Sequence, residues 1–181
     1  MPAISAAFRQ AVMSLGDKEK EAIILKAARR DAELYDILAY ELLEEVTLEK
    51  VYEDAADKIH ALLINASGRS LSKALVKALR KAIKEIARFK RITKDPKTEI
   101  DLHVYTLRLI FDNFTGQFDS FYKGFFTATA RLLLRTIQLI RKNLHEDYYV
   151  EYKTDLDDFL QQIHSRPKYL TVALPQEFEV E

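Results

Sequence analysis

The chain has 181 residues, enough for one domain with a real core, and 48% of them are hydrophobic. The four glycines and four prolines leave few helix breakers, and the lack of cysteine excludes a disulfide framework, a thiolate metal site and a cysteine nucleophile. Basic and acidic residues both number 28. Their placement is uneven: residues 69–97 carry eleven basic and two acidic residues, net +9, between flanks of net −5 (1–68) and −4 (98–181).

Apolar residues recur at spacings of three and four almost throughout, the mark of amphipathic helices. The first predicted helix covers about 3–15, with Ile4, Phe8, Ala11, Val12 and Leu15 on one face, and stops at Gly16. That one-faced pattern, interrupted by Arg9 and Gln10, argues against a signal peptide. The second starts from Asp17 as N-cap and runs to about Arg29. The third runs from Asp31 to about Glu45 with Leu34, Leu38 and Leu42 inward. The very short joint at Arg30-Asp31 makes these two an antiparallel hairpin. The fourth covers about 48–66, with Val51, Ala55, Ile59, Leu62 and Leu63 inward, and Gly68 ends it.

The fifth helix, about 71–92 with Ser70 as cap, is the most informative. Leu71, Ala74, Leu75, Ala78, Leu79, Ala82, Ile83 and Ile86 form its apolar stripe. Lys73, Lys77, Arg80, Lys81, Lys84, Arg88 and Arg91 follow helical spacing on the other side. Asp95-Pro96 turns the chain into a sixth helix, about 97–114, because proline suits a first turn. Gly116 breaks it. A seventh begins near Asp119 and reaches about Asn143, and an eighth covers about 146–164. Arg131, Arg135 and Arg141 interrupt the most apolar helix, so no segment supplies the roughly 18–20 apolar residues of a membrane span. The hexamer Tyr169 to Leu174 has strand propensity without a partner strand, so it either packs along the helices or frays.

These elements describe an all-α protein of seven to eight helices, an irregular HEAT-like stack or a bundle. One helical domain over 1–164 precedes an extended tail over 165–181. The order of an acidic hairpin (Asp31-Ala-Glu-Leu-Tyr), Ser70-Leu-Ser-Lys-Ala-Leu leading a basic helix, a Lys94-Asp-Pro joint, Asp101-Leu-His-Val-Tyr and an aromatic Phe121-Tyr segment resembles an uncharacterised bacterial family of small all-helical proteins, a domain of unknown function. The resemblance spans about residues 17–164. It implies a helical-repeat fold in a bacterial cytoplasm and brings no activity, ligand or catalytic residue.

Four constellations bear on function. The basic stripe (Lys73, Lys77, Arg80, Lys81, Lys84, Arg88, Arg91) suits a phosphate backbone, anionic lipid or an acidic protein. The plainer reading is a solvated face, or one neutralised by Glu45, Glu49, Glu53, Asp54 and Asp57. Lysine predominates in the stripe, no aromatic interleaves with it, and zero net charge speaks against a dedicated nucleic-acid binder. The aromatic cluster Phe111, Phe114, Phe118, Phe121, Tyr122, Phe125 and Phe126 reads as core at a helix corner, with a peptide groove as the alternative. Asp57 with His60, and Glu99 with His103, share helix faces as metal ligands do. Neither pair matches both the spacing and the residue type of the Glu-x-x-His motif of di-iron bundles, so no metal is assigned. Ser70-Leu-Ser-Lys73 matches Ser-x-x-Lys, but the chain lacks the Lys-Thr-Gly and Ser-x-Asn elements that chemistry needs. No glycine-rich phosphate loop is present. The leading expectation is therefore a cytoplasmic, non-enzymatic interaction or scaffold protein with a protein partner and no cofactor. Nucleic-acid or other polyanion binding through helix 69–97 is the first alternative. A metal-dependent helical-bundle enzyme, requiring Asp57, His60, Glu99 and His103 to converge, is the second.

Overall fold

The computed structural model describes residues 3–179. Eight α-helices follow in order: α1 (Ala6–Ser14), α2 (Asp17–Arg30), α3 (Ala32–Leu42), α4 (Leu48–Ile64), α5 (Leu71–Thr93), α6 (Pro96–Asn113), α7 (Gly124–Asn143) and α8 (Tyr149–His164). Two short 3-10 turns lie between α6 and α8, a third follows α8, and no strand occurs among the described residues. The protein is all-α, as the periodicity requires. Its contacts divide it into two compact units, the first ending at Val46 and the second starting at Thr47. This division falls inside the stretch read from sequence as one domain.

In the first unit the helix starts are set by short polar contacts. Ser5 Oγ accepts from the Phe8 amide at 3.2 Å, and Asp31 Oδ1 accepts from the Glu33 and Leu34 amides at 2.9 and 3.1 Å. Gly16, rather than Asp17, is the N-cap of α2, and Glu19 reaches back to the Gly16 amide at 2.9 Å. The single residue between α2 and α3 folds them into a packed hairpin. Three short helices enclose little, and none of the residues in α1–α3 is buried. Leu42, expected to point inward, is 72% exposed.

The second unit holds the core. Tyr52, early in α4, meets Phe89, late in α5, edge to face at 6.5 Å, so the two helices run antiparallel. α5 buries Leu75, Val76, Leu79, Ala82, Ile86 and Phe89 against α4, α6 and α7. Asp95 caps α6 through the Thr98 amide at 2.7 Å, with Pro96 in the first turn. Phe111 stacks on Phe159 of α8 at 4.5 Å and meets Phe118 edge-on at 5.6 Å. Phe118 in turn touches Phe125 and Phe126 at 5.7 and 5.5 Å.

α7 and α8 start later than expected for a local reason. Thr115–Asp119 tightens into a 3-10 turn and Ser120 is extended, so α7 starts at Gly124 rather than near Asp119. Glu146–Tyr148 is likewise 3-10, and α8 proper starts at Tyr149.

The tail packs rather than pairs. Tyr169, Leu170 and Leu174 lie against the core, and Phe178 beyond them is fully buried. Asp157 Oδ1 accepts from the Phe178 amide at 2.7 Å, Lys153 donates to its carbonyl at 3.0 Å, and His164 Nε2 lies 2.8 Å from the Pro175 carbonyl oxygen. The last two residues of the expected tail lie outside the described residues.

Candidate polyanion-binding face

The site grows out of the amphipathic pattern of α5. One side supplies nine buried residues to the core. The opposite side carries Lys73, Lys77, Arg80, Lys81, Lys84 and Arg91, all exposed, and the half-buried Arg88. Around the helix axis these seven fall within an arc of about 100°, and Lys73 to Lys84 rise about 16 Å along it. Burial of the apolar side fixes the helix roll, so the cations face outward together.

Their partners decide what this face is worth. Arg88 lies 3.6 Å from Glu85, one turn earlier. Lys73 Nζ sits 5.4 Å from the centre of the Tyr122 ring. Lys77, Arg80, Lys81 and Lys84 make no ion pair among the described residues. Glu49, Glu53, Asp54 and Asp57 of α4 are exposed and likewise make none among the described residues, so they do not neutralise the stripe by contact.

A second helix adds to the charge. α7 packs beside α5 and contains Arg131, Arg135, Arg141 and Lys142 with no carboxylate at all. α5 has eight cations against Glu85 alone. Arg131 and Arg135 are exposed and make no ion pair among the described residues. In the sequence they stand out only as interruptions of an apolar helix. The signal that identifies them is the absence of any acid over 124–143.

On α6, which packs against both helices, the polar residues Glu99 and His103 are buried. Lys90 Nζ stands 2.7 Å from Glu99 Oε2, whose side chain is 2% exposed. The contact is a close ion pair rather than a well-directed hydrogen bond. One turn on, His103 is fully buried and neither ring nitrogen has a protein partner. Burial first, then the positive charges of Arg135 and Lys90, press its pKa from 6.5 to about 3, so the ring is neutral. Asp57 and His60, by contrast, are exposed on α4. The four residues named as metal candidates thus do not converge, and no group of three metal donors exists among the described residues.

A cleft of about 610 Å³ opens between α4, α6 and α8, lined among others by Tyr52, Asp101, Arg108, Glu151 and Tyr152. Its charges are largely answered from within. The Tyr152 hydroxyl donates to Asp101 Oδ1 at 2.7 Å. Lys97 lies 3.5 Å from Asp101 and 3.2 Å from Glu151, and Arg108 pairs with Asp155. Burial and the nearby Asp101 carboxylate push both tyrosine hydroxyls above their ordinary pKa, so both stay protonated and neither serves as a base. Ser70, at the start of α5, makes no side-chain cap bond, and the Lys73 ammonium three residues on lies toward Tyr122.

No protein-family model, curated protein or solved structure matches this chain. No helix among the described residues is long and apolar enough to cross a membrane.

Proposed function

We propose that this chain is a non-enzymatic interaction protein that binds a polyanion through the basic face of α5. One observation carries the reading: Lys77, Arg80, Lys81 and Lys84 are exposed together on one face and make no ion pair among the described residues. Like charges held side by side repel one another, and an approaching polyanion relieves that repulsion while releasing its own counterions. α7, which packs against α5, adds the exposed Arg131 and Arg135 and contains no carboxylate.

Charge reversal at Lys77, Lys81 and Lys84 tests the proposal. The triple variant should lose retention on a polyanion such as heparin or nucleic acid at low salt. It should melt within a few degrees of the wild type, because exposed substitutions usually change stability by less than about 0.5 kcal/mol each. A variant that keeps its binding, or that loses it only by unfolding, would overturn the assignment of this face.

A further inference from the structure

The basic face ends at two aromatic side chains that the fold turns outward. Phe121 is fully exposed, at 104% of its reference area, and Tyr122 is 37% exposed. Their neighbours in the same aromatic cluster, Phe118, Phe125 and Phe126, are all buried. Phe121 and Tyr122 thus leave the core expected for the whole cluster, because the 3-10 turn and extended Ser120 throw residues 121–122 to the surface.

The placement is built rather than loose. The Ser72 hydroxyl, in the first turn of α5, lies 2.7 Å from Ser120 Oγ and 2.9 Å from Gln117 Oε1. Ser120 donates to the Tyr122 carbonyl at 3.0 Å. These bonds pin the turn against the start of the basic helix. The Tyr122 ring lies close against Gly124, where a Cβ would come within 2.6 Å of ring atoms. Only glycine lets it rest there. The Lys73 ammonium then sits 5.4 Å from the centre of the same ring, so the first cation of the stripe and Tyr122 form one surface, with the exposed Phe121 adjacent in the chain.

Building on the polyanion reading, we propose that the polyanion is single-stranded nucleic acid. Its backbone runs along Lys73, Lys77, Arg80, Lys81 and Lys84, and its bases stack on Phe121 and Tyr122. A single row of cations, about one or two per 5.4 Å helical turn, tracks one backbone rather than two. Rings standing at the end of that row find partners only in unpaired bases, because duplex bases present their edges and not their faces. A bilayer surface is a poorer fit. Its anchors are apolar groups spread along a helix face, and here one fully exposed phenyl stands at one end of a polar stripe. An acidic protein would use the cations and leave the rings idle.

The test uses the full chain, a labelled twelve-nucleotide oligothymidylate, a duplex of the same length, and phosphatidylserine vesicles. Fluorescence anisotropy reads the nucleic acids and co-sedimentation reads the vesicles. Phe121→Ala with Tyr122→Ala should weaken single-strand binding by about tenfold or more, the size of a lost base–ring stack, and leave its salt dependence unchanged. Duplex binding should be weaker and insensitive to that pair, and the Phe121→Trp, Tyr122→Trp variant should retain single-strand affinity. Equal binding of both nucleic acids with no effect of the alanine pair would overturn this inference and leave the polyanion reading standing. Vesicle binding that depends on Phe121, without oligonucleotide binding, would overturn it in favour of a membrane. Binding to none of the three probes at low salt would overturn both readings.

Discussion

His103 makes the second unit acid-sensitive in a way that one substitution should remove. In the folded chain its pKa is about 3, against about 6.5 when unfolded. The folded value is depressed, so the stability tied to it is fully present above pH 6.5. It falls as pH drops, because below that point the unfolded chain takes up a proton that the folded chain refuses. Linkage gives a loss of about 2 kcal/mol on going from pH 7.5 to pH 5. For a chain of this size that is a fall in Tm of about 4–8 °C. His103→Leu removes the titration. Neither imidazole nitrogen has a protein partner, so leucine forfeits no hydrogen bond to protein, and the swap is close in volume. Urea denaturation of both proteins at the two pH values isolates the effect, since all other titrating groups cancel in the difference. The wild type should lose about 2 kcal/mol more than the variant. Equal losses would refute a buried neutral His103.

Other consequences follow from the same contacts. Lys90→Met leaves the Glu99 carboxylate buried without its cation and should cost about 1–3 kcal/mol in urea denaturation; adding Glu99→Met should recover part of that loss. Phe178→Ala should cost about 3–5 kcal/mol, because the ring is fully buried beside Tyr149 at 5.4 Å; a change below about 1 kcal/mol would mean that the tail contributes little to the core. In hydrogen exchange, amides of α1–α3 should exchange well before those of α5–α7, since α1–α3 bury no residue and α5–α7 bury many.

The helices were legible because one rule repeats through the chain: an apolar residue every three or four positions. The α5 face was legible for the same reason. Its lysines and arginines keep helical spacing opposite Leu75, Leu79 and Ile86, so burying one side necessarily exposes the other. What escaped was set by turns. Phe118, Phe121, Tyr122, Phe125 and Phe126 keep near-helical spacing straight through a non-helical turn, so periodicity alone sent Phe121 and Tyr122 inward. Phe178 carries no local sign of burial, because its place depends on Asp157 and Lys153 some twenty residues away. Glu99 and His103 do share a face, as their spacing requires. That face turns into the protein, where Lys90 lies against the carboxylate.

The central claim, that the α5 face binds a polyanion, is tested most directly by the salt dependence of oligothymidylate binding to the wild type and to the Lys77→Glu, Lys81→Glu, Lys84→Glu variant. Five phosphate contacts predict that log K falls with log salt at a slope of about −3.5, a roughly hundredfold loss over a fourfold rise in salt. The triple variant should show no measurable binding at low salt while keeping the wild-type melting curve. Binding that ignores salt, or a triple variant that binds with the wild-type slope, would contradict it.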